Sequence, residues 1–151
     1  MANEAKVESI ITLFPTEISA VIGTSDAYKT VSNTPGTYDK WYYNKHAVPS
    51  NSGGTDIISG TFLESVTKVE TLDEIKFLYI VNLSEITAVY IALSGKTASS
   101  SLADAIFISP GEYWFSKFTS LTVGNLHAVS SAGSVDCGIA AIIKDVSEVA
   151  P

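Results

Sequence analysis

Between Ile75 and Ile143 the sequence is a succession of strand-sized apolar runs separated by turn residues, with no helical stretch long enough to interrupt it. Ile75, Phe77, Tyr79, Val81 and Leu83 alternate with period two, and Leu78 and Ile80 make the middle of the other face apolar as well. A strand apolar on both faces belongs at the centre of a covered sheet. The pattern resumes in Ile86–Leu93, where Val89, Ile91 and Leu93 face one way and Ala88, Tyr90 and Ala92 the other. It continues through Ala105–Ile108, the Pro110-Gly111 turn, Glu112–Phe118, Leu121–Val129, the Ser130–Ser134 turn and Val135–Ile143, and Gly60–Thr71 supplies one more strand upstream. Such spacing predicts an all-β chain of about eight strands, an antiparallel β-sandwich or barrel. Strand number favours a jelly roll; the connectivity stays open.

Two regions precede this ladder. Residues 1–25 hold the β-prone runs Glu8–Phe14 and Ile18–Ile22 on either side of Pro15 and Thr16, an opening hairpin or pairing arm. Pro15 must lie outside a central strand because it has no backbone N–H to donate. Residues 26–60 are polar and rich in turn formers, yet carry Tyr38, Trp41, Tyr42 and Tyr43. A loop this long inside a compact domain is functional or disordered, and the aromatics argue for order upon something. The segment Ser94–Leu102 offers no apolar anchor before Leu102 and reads as a mobile surface loop, and Ile143–Val149 could add a terminal helical turn. The whole fits a single domain over 1–151, with its core in 61–145. A chain of this length buries roughly 70 % of the surface its unfolded form exposes, so it can fold without staples.

Sixteen acidic residues face nine lysines, arginine is absent, and the formal net charge is −7. Nucleic acids and anionic membranes are gripped by clustered basic side chains, above all by the arginine fork, so neither is an expected partner. A cationic surface would suit better, although acidity also serves solubility alone. The N-terminal stretch lacks the basic-then-apolar order of a secretory signal, and no apolar run reaches the roughly 18–20 residues of a membrane span. The expectation is a chain made and kept soluble inside a cell. Cys137, the single cysteine, cannot form an internal disulfide and points inward in the run Val135, Cys137, Ile139 as a small buried hydrophobe.

Chemistry-bearing patterns are absent. His46 and His127 have no second His or Cys at zinc spacing; His127 sits in a strand, while His46 lies near Asp39 and Asp56 in sequence. No Gly-x-Ser-x-Gly elbow accompanies the many serines. Asp73 and Glu74 open a strand, where charge means a solvated turn, and Asp26, Asp39, Asp56 and Asp104 stand singly without a calcium-loop run. Asn82-Leu83-Ser84 matches a glycosylation sequon. No catalytic residue, metal or cofactor is expected.

What remains is a surplus of aromatics. Trp41, Tyr42 and Tyr43 could be an interface hot spot, a platform on which sugar rings stack, or rings that bury themselves over one end of the sandwich. In the consecutive Tyr113, Trp114 and Phe115, Trp114 must face away from its neighbours, so one face needs cover from outside a two-layer core. Tyr38, Trp41, Tyr42, Tyr43, Tyr113 and Trp114 are therefore the candidate interface residues.

The order FLYIVNLSEITAVYIALSG, then IFISPGEYWFSKF, then LTVGNLHAVSSAGSVDCGIAAIIKD resembles small β-sandwich virion proteins of tailed bacteriophages. The resemblance rests on a strand ending in Asn82-Leu83, a Pro110-Gly111-Glu112 turn and a last strand of small and branched residues, and it spans residues 75–145. It implies a non-enzymatic building block of the virion, assembled in the host cytoplasm and often trimeric. Such a block decorates or cements the capsid by contacting the major capsid protein, or occupies the neck or tail. A carbohydrate-binding, receptor-recognising module is the alternative.

Overall fold

The computed structural model describes residues 4–13, 20–29, 38–51, 53–63, 66–95, 97–99, 101 and 105–146. An antiparallel ribbon comes first, β1 (Glu4–Leu13) paired with β2 (Ala20–Lys29), where the sequence places a hairpin or arm. Eight strands follow: β3 (Tyr38–Pro49), β4 (Thr55–Asp56), β5 (Glu74–Asn82), β6 (Val89–Ala92), β7 (Ile106–Ile108), β8 (Tyr113–Thr122), β9 (His127–Ser130) and β10 (Ser134–Asp145), with a short 3-10 turn at Val123–Asn125. They form two four-stranded antiparallel sheets, ordered β3-β10-β5-β8 and β4-β9-β6-β7, packed as a sandwich. Among these eight, first pairs with last, second with seventh, third with sixth and fourth with fifth. That nesting is the double Greek key of a jelly roll, and it fixes the connectivity that strand spacing left open.

Three expectations are corrected. Residues 38–49 belong to β3, an edge strand of the longer sheet, and so cannot be loop. Among the described residues of 60–71 no strand forms, only an isolated bridge between Thr61 and Lys68. Ala98, 1 % exposed and bridged to Gly53, anchors the segment expected to lack any anchor. At the C-terminal end, residues 143–145 continue β10; 147–149, where a helical turn was expected, lie outside the described residues.

The core lies between the sheets. Val135, Cys137, Ile139, Ala141 and Ile143 of β10 meet Val89 and Ile91 of β6, Ile108 of β7 and Ala128 of β9. A β-bulge at Lys76 puts Ile75 on the inner face with Leu78 and Ile80, and turns Phe77 and Tyr79 outward. The single face read from Ile75 to Leu83 is thereby split, because one unpaired residue reverses the alternation beyond it. The Pro110-Gly111 turn closes with the Glu112 N–H donating to the Ser109 carbonyl at 3.1 Å, and Gly111 takes φ +73°, the left-handed geometry a type II turn needs.

Buried polar groups are satisfied where the sheets join. Asn82, fully buried, donates from Nδ2 to the carbonyls of Thr87, Ile108 and Ser109 at 2.8–3.2 Å and accepts from the Ser84 N–H at Oδ1. The sequon is thus read as an internal staple, since an amide so enclosed in the folded protein cannot present its nitrogen for glycosylation. Lys40 donates to the buried Asp145 carboxylate at 2.9 Å and lies over the Phe62 ring. Asp73 accepts from the backbone N–H groups of Glu70 and Val146; burial is the main influence raising its pKa, and those hydrogen bonds oppose it.

Candidate functional site

The two aromatic clusters of the sequence converge on one surface, the outer face of the β3-β10-β5-β8 sheet. Register places Trp41, Ile142, Phe77 and Lys117 in one row across it. The next row is Tyr43, Ala140, Tyr79 and Phe115, and the third is Lys45, Gly138, Val81 and Tyr113. The rings form one layer: Tyr79 stacks on Tyr113 at 5.7 Å, Tyr113 on Phe115 at 6.4 Å, and Phe115 leans on Phe77 at 6.4 Å. Between the aromatic strands runs the small-residue stripe Gly138 and Ala140 of β10. A Cβ on Gly138 would lie 2.9 Å from the Val81 side chain, so glycine keeps the stripe low.

Exposure separates this face from an ordinary sheet exterior. Tyr43 is 62 % and Tyr113 57 % exposed, whereas Phe77 and Ile142 at the centre are buried. The charged ends are internally compensated. At one end Glu74 takes ion pairs from Lys76 and Lys144, and the Lys76 hydrogen bond lowers its pKa; beside them burial raises that of Asp39. At the other end Lys45 pairs with Asp136 at 2.7 Å. The face thus combines an aromatic centre with an ionic rim whose Glu74 and Lys45 are both paired.

Each predicted residue now has a place. Trp41 and Tyr43 lie on the outer face, while Tyr42 between them points into the core, where its hydroxyl donates to the Ser59 carbonyl at 2.9 Å and accepts from the Ser59 N–H. Tyr113 lies outward; Trp114 points inward beside Phe118 at 6.1 Å, giving the opposition its spacing predicts. Tyr38 heads β3 opposite Asp145, its side chain outside the described residues. Phe77, Tyr79 and Phe115 belong to the surface although they are not among the candidate interface residues read from the sequence. Their signal was in the alternation of the ladder, but only sheet order shows that β5 and β8 stand beside β10 and β3.

Among the described residues, the histidines and the cysteine lie off this face. His127 Nε2 lies 3.0 Å from Asp56, the partner considered for His46, which instead sits in β3 opposite Cys137. The Cys137 thiol, pushed up to about 11 by burial and secondarily by Asp136, is inert packing at neutral pH. Among the described residues no three His, Cys, Asp or Glu side chains gather as metal ligands. Comparison with protein-family models, curated proteins and solved structures finds no match.

Proposed function

We propose that this chain is a non-enzymatic structural protein of a tailed-phage virion, a capsid decoration or cement protein that docks through the outer face of its longer sheet. A fold hosts many functions, so it is the surface that supports this role. The observation that carries it is the aromatic layer on the outer face, where Tyr43 and Tyr113 stay more than half exposed beside the buried Phe77 and Ile142. The order of strands and turns from residue 75 onward supports the phage assignment through the resemblance. In this reading the partner is the major capsid protein, the chain acts as a homo-oligomer, and it assembles in the host cytoplasm. Mass spectrometry and immunogold labelling of purified particles test it: stoichiometric labelling of heads is expected, and absence from particles overturns it.

A second reading has its own observation. Tyr43, Tyr79 and Tyr113 present hydroxyl-bearing rings beside the low stripe of Gly138 and Ala140, a trough that could stack sugar rings. A glycan array decides: specific binding lost in Trp41→Ala would make the face a receptor-recognising site, whereas a blank array leaves the assembly role.

A further inference from the structure

One end of the longer sheet holds a lysine and a carboxylate sealed together. Lys40 of β3 stands opposite Ile143 of β10, and Asp145 lies two residues further along that strand, so both side chains project to the inner face. Diagonal neighbours on adjacent strands are within reach of a long side chain. Lys40 Nζ lies 2.9 Å from Asp145 Oδ2, with side-chain exposures of 11 % and 0 %. The buried Phe62 ring covers the nitrogen at 5.3 Å, and the next residue ties that cover to β3, the Leu63 N–H donating to the Trp41 carbonyl at 2.9 Å. Just beyond Asp145, the buried Asp73 accepts from the Val146 N–H at 3.1 Å and fixes the end of β10. The Lys45–Asp136 pair on the other side of the sheet is, by contrast, open to water.

A buried ion pair is a weak source of stability, because taking two charges out of water costs about as much as their attraction returns, and apolar side chains of similar volume serve as well. What a sealed lysine and carboxylate have beyond an apolar pair is reactivity. Lysine is an amine that can be acylated, and Asp145 presents the acyl group.

We infer that Lys40 and Asp145 condense, with no further reactant, to an amide that joins the first strand of the sandwich to the last. Away from water the neutral pair is favoured over the charged one, so a proton passes from Nζ to the carboxylate. The freed Nζ lone pair attacks Cγ, one bond beyond the oxygen it already touches and close to the roughly 3–3.5 Å from which held atoms react. The N–Cγ bond forms and the Cγ–OH bond breaks. The departing hydroxyl takes a second proton from Nζ and leaves as water, so nothing is oxidised or reduced. Free in water such a condensation is unfavourable, but reactants held in place reach effective concentrations of about 10⁵–10⁸ M, and a dry site keeps water from reversing the step. The product closes a loop between residues 105 apart in sequence. It pins the edge strand β3 covalently and restricts the unfolded chain as a disulfide would, in a chain whose single cysteine cannot make one. The inference is independent of what the outer face binds.

Intact mass spectrometry of the full chain tests it. The folded, aged protein should weigh one water less than its sequence. Trypsin does not cut after an acylated lysine, so it should release residues 30–45 and 145–151 as one branched peptide. Lys40→Arg keeps the positive charge beside Asp145 but cannot form the amide; it should show the full sequence mass and an unchanged circular dichroism spectrum, and unfold at a lower urea concentration than the parent. A full sequence mass for the folded parent protein overturns the inference, leaving the two residues as an ion pair. So does a loss of water that persists in Lys40→Arg, or one that maps to a succinimide within a single linear peptide.

Discussion

The two sheets solve the same problem differently. The shorter sheet, whose strands run from two to four residues, is covered in part by its own chain, Ala98 packing on Ala92 and Val129 with Tyr90 alongside, and its one exposed ring pair is Tyr90 against Phe107 at 5.3 Å, among the described residues. The longer sheet, built from strands of nine to twelve residues, carries a broader layer of rings on its exterior, of which Tyr43 and Tyr113 are more than half exposed. A covered exterior has only to close the core. An exterior with exposed tyrosines offers the residue type that dominates interface energetics wherever association buries it.

The comparison can be broken in three graded ways. Asn82 holds the end of the longer sheet to the loops entering the shorter one, and Asn82→Ala strands three carbonyls and an N–H in a buried site. A loss of about 2–4 kcal/mol is expected, read as a lower urea midpoint. Cover on the shorter sheet depends on Gly54, at φ +72°, where an added Cβ would meet the Ala98 Cβ at 2.8 Å and the Ala128 carbonyl at 3.1 Å. Gly54→Ala should cost about 2–3 kcal/mol and raise amide exchange around residues 97–99, whereas an unchanged protein would mean that the cover is incidental. The smallest expected effect on folding is the sharpest on function. Tyr43→Ser with Tyr113→Ser should change stability by about 0.5–1 kcal/mol, as their exposure and modest ring stacking allow. The same pair should abolish oligomerisation and particle binding. If it unfolds the protein instead, the rings are core and the distinction between the sheets fails.

Legibility followed the local signal. The all-β class, the hairpin, the central place of β5, the inward Cys137 and the opposed orientation of Trp114 are all set by period-two alternation and turn residues, which act over a few residues. β3 escaped because an edge strand half exposed to water has no apolar alternation to declare it: Tyr43, Asn44, Lys45 and Ala47 are all exposed, and from residue 39 on Lys40, Tyr42 and Val48 are the buried ones. Ala98 escaped because a lone alanine is an anchor only where a glycine opposite leaves room for it.

By itself, then, the sequence determined that the chain forms strands, where most of them turn, and that it holds more aromatic surface than one core consumes. Only the tertiary structure decided which strands are neighbours. Long-range pairing of first with last and third with sixth brings residues 41–43 and 113–115 to opposite edges of one sheet, and the bulge at Lys76 turns Phe77 and Tyr79 to the same side. The reason is physical. Alternation specifies which face a residue takes within its own strand, whereas the composition of a shared face depends on strand order and register, which contacts distant in sequence set collectively.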